Sequence, residues 1–277
     1  MKTKPYLLFF CSLLILSLWL IMTMPDGRMH LVFCNVGQGD AAYIRAPNGV
    51  EILIDGGPDV RVLDCLQKNM AFYDRTIDLL ILSHPQSDHL TGLIEVVKRY
   101  NVKQVLDTSA ESDTGIAKLW RKTLVDRKIK RLGAEIGQRI IIAQNFYLDI
   151  LWPERTLLDS KSQFDVDVNL LSTVVLLKYR DFSALFTGDI DREIFKQLLT
   201  ANRQKLTATL SVLKVPHHGS KDGLDAEILN ILKPKTAVIS VGKNSYGHPN
   251  KTTLNLLENL HINIRRTDIN ESVNFID

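Results

Sequence analysis

Polar residues that can bind metal follow short apolar runs again and again in this 277-residue chain. VEILI ends in Asp55, IDLLILS in His84 with His89 close behind, ALFTG in Asp189, and LSVLKVP in His217 and His218, while His248 lies a few residues beyond AVISV. Short apolar runs bounded by Gly, Pro and Asn read as strands. In sheet proteins, ligands gather at the loops beyond one end of the strands. The fold must therefore bring residues scattered along the chain to one shared rim.

The rest of the pattern supports one large unit. LVFCN, AAYIRA and VEILID read as three strands, followed by a helix over 60–68, a strand over 78–83, a helix over 90–100, a strand over 104–107 and a helix over 116–126. Residues 140–152 are β-rich, and the polar run ERTLLDSKSQFDVDVN reads as a loop. Strands over 170–179 and 182–186 form a hairpin closed by Arg180 and Asp181; a helix over 192–201, a strand over 210–215, a helix over 224–232, a strand over 237–241 and a helix over 252–260 complete the pattern. No linker or short repeat divides them, and a 45% hydrophobic composition can fill a sizeable core. One domain over 27–277, with sheets inside and helices outside, is the economical arrangement.

Residues 1–26 stand apart. YLLFFCSLLILSLWLIMTM, from Tyr6 to Met24, carries no charge, and about 20 apolar residues span a bilayer's hydrocarbon core. Lys2 and Lys4 precede it and Arg28 follows, which predicts a cytoplasmic N-terminus and a domain outside the cytoplasm. Thr23-Met24-Pro25-Asp26 lacks the small residues of a signal-cleavage site. A single-pass anchor is expected, with secretion after cleavage as the alternative. The three cysteines cannot build a disulfide framework; Cys34 and Cys65 read as buried free thiols rather than as a bridge. The net charge of +3 gives no global basic field for a polyanion. A local stripe of Lys118, Arg121, Lys122, Arg127, Lys128, Lys130 and Arg131 reads first as a solvated face and second as a set of phosphate contacts.

SHPQSDHLTG, from Ser83 to Gly92, is the densest of the polar segments. Pro85 keeps His84 out of helical geometry, so His84, Asp88 and His89 fall on a loop and a helix start. Combined with Asp189, the HHGS and the GHP, these imidazoles and carboxylates suit zinc, manganese or iron(II).

At this point the motifs resemble the metallo-β-lactamase superfamily, and within it the hydrolase domain of ComEC-type competence proteins. The matching segments are NVGQGDAAYI, LIDGG, LSHPQSDHLTGL, NLLS, LFTGDID, LKVPHHGSKDG and SVGKNSYGHPN, spread over about residues 29–276. The resemblance implies an αββα four-layer sandwich with metals on the strand-end rim. It implies His84, Asp88, His89, Asp189 and His248 as metal ligands, Asp55 as the residue that orients the metal loop, and Asp189 as a bridging carboxylate. Gln86 stands where a second loop histidine is expected, and Asn169 with Ser172 where a mid-chain histidine is expected. One firm zinc or manganese site and a weak second one follow. In the PHHGS turn, His217 is assigned to the metal and catalysis, with Asp88 and Asp189, and His218 to substrate. Ser220, Lys221, Asn244 and Tyr246 are further expected substrate contacts.

The expected activity is metal-assisted hydrolysis of a phosphodiester, with DNA as the substrate implied by the resemblance. Hydrolysis of another envelope phosphoester or amide is the enzymatic rival. A metal-poor module that binds DNA or a partner is the non-enzymatic one. One candidate span cannot make a DNA-conducting pore, so the expectation is either a detached hydrolase beside a separate channel protein or an independent extracellular enzyme; the oligomeric state does not follow from the sequence.

Overall fold

The computed structural model describes residues 4–23, 26–108, 112–154, 167–206 and 209–277. In chain order the elements are α1 (Lys4–Thr23), β1 (His30–Phe33), β2 (Ala42–Arg45), β3 (Glu51–Ile54), α2 (Arg61–Asn69), β4 (Thr76–Ile77), β5 (Leu79–Leu82), α3 (Ser87–Arg99), β6 (Asn101–Val102), β7 (Gln104–Asp107), α4 (Gly115–Asp126) and β8 (Lys130–Gly133). The second half continues with β9 (Arg139–Ala143), β10 (Phe146–Trp152), β11 (Val174–Tyr179), β12 (Phe182–Phe186), α5 (Arg192–Ala201), β13 (Val212–Lys214), α6 (Ala226–Leu232), β14 (Thr236–Ile239), α7 (Lys251–Asn259), β15 (Asn263–Arg266), α8 (Thr267–Asn270) and β16 (Val273–Ile276).

Two seven-stranded sheets face one another, in the orders β16-β1-β2-β3-β5-β7-β8 and β15-β14-β13-β12-β11-β10-β9. The strands are apolar on both faces because both faces are covered. In the first sheet Leu31, Phe33, Ile52, Ile54, Leu79 and Ile81 point inward against Phe146, Leu148, Ile150, Val175 and Leu177 of the second sheet. The alternate residues Val32, Leu53, Leu80 and Leu82 point outward against Val62 and Leu66 of α2, Leu90, Leu93 and Val97 of α3, and Trp120 of α4. The second sheet repeats this, with Leu176, Leu185, Leu213 and Ile239 packed on Phe195, Leu198, Ile228, Leu232 and Leu257 of α5, α6 and α7. Helix, sheet, sheet and helix form the four layers expected for the domain. Side-chain caps fix where the outer helices begin: Asp191 accepts the Ile194 N–H (2.8 Å) and Asp225 the Ile228 N–H (2.9 Å).

Several local expectations are corrected. Residues 168–171 form a 3₁₀ turn, so β11 starts at Val174 rather than at Leu170. Strands β8, β15 and β16 were not anticipated, because KRLG, NIRR and VNFI sit at or near the sheet edges and carry half-exposed polar residues that blur the apolar signal. Most of the polar loop expected over 154–169 lies outside the described residues. Cys34 and Cys65 form a disulfide, with Cα atoms 5.9 Å apart. The sequence treated each as a separate core residue; both do face the same core, where the start of the β1–β2 loop passes α2. Thiol titration of the unreduced, unfolded chain should find one free thiol, Cys11. Reduction should cost about 2–4 kcal/mol of stability in a urea titration; three titratable thiols would contradict the bridge.

Helix α1 covers twenty residues. Its described side chains, Tyr6 and residues 8–19, are exposed. Among the described residues no helix is long and apolar enough to cross a membrane.

Candidate metal centre

The first half of the centre is built where β3 and β5 end side by side. Asp55 adopts a left-handed backbone (φ 59°). Its carboxylate accepts the Ser83 N–H and the Ser83 hydroxyl, each at 2.7 Å, and lies 2.9 Å from His89 Nδ1. Helix α3 can approach closely enough for this only because Gly92 meets Gly56 where a side chain would collide. The Gly56 N–H donates to the His89 carbonyl at 2.7 Å, fastening the contact. Held at Nδ1, the buried His89 turns Nε2 towards Asp189 Oδ2 (3.4 Å) and Asp88 Oδ2 (3.9 Å). Asp88 does not cap α3, since the N-cap residue is Gln86 and its side chain makes no cap bond.

The other half comes from the second sheet. Asp189 follows β12, its N–H donating to Ser172 Oγ (3.2 Å). The turn after β13, Pro216–Gly219, holds two successive left-handed residues, His217 (φ 49°) and His218 (φ 52°), which send neighbouring side chains in different directions. His218 goes inward: Nδ1 lies 2.9 Å from the Ser240 carbonyl and Nε2 3.2 Å from Asp88 Oδ2. One ligand atom each from Asp88, His89, Asp189 and His218 lie within 4.8 Å of one another.

The two histidines thereby exchange the places expected for them. His218 is buried in the cluster, while the side chain of His217 is 39% exposed, with Nε2 3.9 Å from Asp189. His248 stands at the rim, its ring centre 5.6 Å from that of His217, and is not among the four clustered residues. Asn244 is occupied within its own loop, donating to the Gly242 and His248 carbonyls and accepting the Tyr246 and His248 N–H groups. It shapes the loop and, with Tyr246 and His248, lines the cleft over the cluster. Ser220 is buried with its hydroxyl accepting the Asp222 N–H (3.3 Å), and neither Ser220 nor Lys221 lines the cleft over the cluster. That cleft, about 800 Å³, is lined by Gln38, Gln86, Asp88, His217, His218, Lys243, Tyr246 and His248 among others. The basic stripe is absent from its lining and is spent on local pairs such as Arg131–Asp107 (2.8 Å) and Lys122–Asp126 (2.6 Å).

Two residues at the centre were missed. Lys214, buried in β13, pairs with Asp40 and reaches Asp189 Oδ1 (3.3 Å) and the Gly188 carbonyl (2.9 Å). The buried Asp40 also approaches His218 Nδ1 (3.4 Å). A lysine inside the apolar run LSVLKVP was the available signal, because lysine is almost never fully buried unless paired.

The charges account for the protonation states. Burial alone would lower the pKa of His218, but Asp189 and Asp40 outweigh it and lift it to about 10. His89 is likewise raised, its burial outweighed by Asp189 and Asp55. Burial pushes Asp40 up while Lys214 and His218 pull it down further, to about 2. His84 is lowered to about 3 by burial and by His89. The residues fit a divalent cation: His89 Nε2 is buried without a hydrogen-bond partner and is aimed at two carboxylates. Two imidazoles and two carboxylates match zinc or manganese donor chemistry. His84 Nε2 and Asn169 Oδ1 are also buried without a hydrogen-bond partner.

Fold and donor set define a four-layer sandwich with a candidate metal site at its rim, and comparison with known proteins agrees with that fold. The family model of the metallo-beta-lactamase superfamily matches residues 34–143. It is similar to ComE operon protein 3 of Bacillus subtilis (strain 168), with 27% identity over 269 residues, 90% of this chain and 33% of that protein. Competence protein ComA of Neisseria gonorrhoeae is 25% identical over 253 residues, covering 91% and 33%. The chain thus spans about a third of the length of these curated relatives. Among solved structures, Igni18, a metallo hydrolase from Ignicoccus hospitalis KIN4/I, shares the fold with a TM-score of 0.57 at 18% identity, over 89% of this chain and 98% of that one.

Proposed function

We propose that the chain is a membrane-anchored, extracytoplasmic metal-dependent phosphodiesterase whose substrate is DNA. The observation that carries the reading is the Asp88–His89–Asp189–His218 set at the floor of an open cleft. A divalent cation held there supplies Lewis-acid polarisation and a nucleophilic water at neutral pH. Asp55 fixes His89 through Nδ1, and the Ser240 carbonyl fixes His218 in the same way, so each ring presents Nε2 to the ion. His217, His248 and Lys243 line the cleft above, where cationic and N–H donors suit a phosphodiester oxygen. The Tyr246 ring, 75% exposed and stacked at 6.1 Å on His248, offers a face to a base.

One ion is the expected load. Lys214 holds Asp189 Oδ1, so Oδ2, which faces His89 and His218, is the oxygen of that carboxylate turned to the cluster. The second position has His84 and, with Gln86 and Asn169 as neutral neighbours, is the weaker one. The apolar segment 6–24 supports the anchor. A Cys34–Cys65 disulfide supports a domain outside the reducing cytoplasm. DNA as substrate, and work beside a separate channel protein, rest on the similarity to ComE operon protein 3 and ComA.

The test is cleavage of linear duplex and single-stranded DNA by the full chain in detergent with added Mn²⁺ or Zn²⁺, alongside a phosphocholine ester and a β-lactam. The expected result is metal-dependent DNA cleavage that disappears in Asp88→Ala. Preferential cleavage of the phosphocholine ester or β-lactam would point to another envelope substrate, and failure to bind either metal would leave only a binding module.

A further inference from the structure

The pole of the domain opposite the cleft carries an unexplained aromatic cluster. Trp19, near the end of α1, lies 6.2 Å from Phe72 and 5.7 Å from Tyr73 between ring centres, and Phe72 and Tyr73 are 5.4 Å apart. Phe72 remains 70% exposed, Tyr73 49% and Trp19 40% even after these contacts. Chain direction fixes the position of this cluster. Strand β3 runs towards Asp55 at the metal rim; Pro58, just beyond, lines the cleft; and α2 then runs back, its nine residues covering about 14 Å before the turn that holds Phe72 and Tyr73. Strand β1 enters at the same far pole, where His30 pairs with Ile276, and leaves towards Gly37, which abuts Gly242 at the cleft end.

We propose that Trp19, Phe72 and Tyr73 form a collar that seats the domain on the bilayer interface, with the cleft facing the water on the opposite side. The proposal rests on the anchor reading of α1 given above. Lipid is the occupant because the patch continues an exposed apolar helix: Leu8, Phe9, Phe10, Leu13, Leu14 and Leu18 lead along α1 to Trp19. Tryptophan and tyrosine favour the headgroup level, where an apolar ring and a polar edge are both satisfied. Arg28 and Lys68, both exposed beside this pole, suit anionic headgroups. The arrangement narrows the substrate class. A cleft turned away from the bilayer admits a polymer arriving from the aqueous phase, and it cannot reach the headgroups of the membrane in which its own anchor sits.

The experiment uses the full chain in phosphatidylcholine–phosphatidylglycerol vesicles containing lipids brominated near the headgroup end of the acyl chain. Trp120 and Trp152 are buried (2% and 1% exposed) and give a constant background. In a Trp19→Phe chain, Phe72→Trp should lose about half of its added emission, as expected at interfacial depth, while Tyr246→Trp should lose none. If Trp19 of the unaltered chain is quenched but Phe72→Trp is not, the anchor stands and the collar is overturned. Quenching of Tyr246→Trp would overturn the orientation. If the unaltered chain neither floats with the vesicles nor shows quenching, the anchor reading itself fails. As a second measure, Phe72→Asp with Tyr73→Asp should leave flotation intact and make the turn accessible to protease; unchanged protection on vesicles would count against the collar.

Discussion

His218→Ala should empty the metal centre and slow hydrolysis by about a thousandfold or more, while His217→Ala should keep its metal and lose about 10- to 100-fold in rate. The contrast follows from the turn after β13, where one histidine is buried against Asp88 and Asp189 and the other is left at the cleft wall. Asp189→Ala should resemble His218→Ala, because Oδ2 of Asp189 faces both His89 and His218 at 3.4 Å. Asp55→Asn leaves every ligand in place but weakens the hold on His89 Nδ1, and should reduce metal affinity by about 10- to 100-fold. Metal content and kcat measured on the same preparations decide the matter. A His217→Ala protein that loses its ion, beside a His218→Ala protein that keeps it, would restore the opposite assignment.

That exchange marks the limit of what the sequence could reveal. Residue type and position after a strand were enough to bring Asp88, His89 and Asp189 to one rim, because strand ends in a layered sheet have little choice of location. Which of two adjacent histidines turns inward depends on two left-handed residues in succession, and PHHGS carries no periodic signal for that. The substrate contacts expected at Ser220 and Lys221 lie off the cleft for a related reason. Both have the right chemistry on the right loop, but a local hydrogen bond or the direction of the chain carries them away from the cleft, whereas Asn244 lines it. Lys214 was legible in principle, as a charge inside an apolar strand, yet its partner Asp40 comes from the other sheet and no spacing links the two. The layers were readable because both faces of every central strand are covered, so apolar runs mark them plainly. The edge strands β8 and β15 lack that cover and lacked the signal.

Metal affinity should rise steeply with pH, by up to about a hundredfold per unit near neutrality, because the ion displaces protons from two imidazoles. In the metal-free protein His218 stays charged up to about pH 10, and His89 is also raised well above the ordinary histidine value near 6.5. The sign for stability is opposite to the sign for binding. A pKa raised by folding contributes stability that is fully present below about 6.5, the unfolded value, and is lost as pH climbs through the folded value. The metal-free protein therefore loses His218's contribution between about pH 6.5 and 10, and over the same window the cation takes over the charge that the protons supplied. The rise in melting temperature on adding Mn²⁺ should be larger at pH 8.5 than at pH 6. Calorimetric titrations in buffers of different ionisation enthalpy should show close to two protons released per ion at pH 7. A binding constant that stays flat from pH 6 to 8, with no proton release, would mean that His89 and His218 are not the residues receiving the ion.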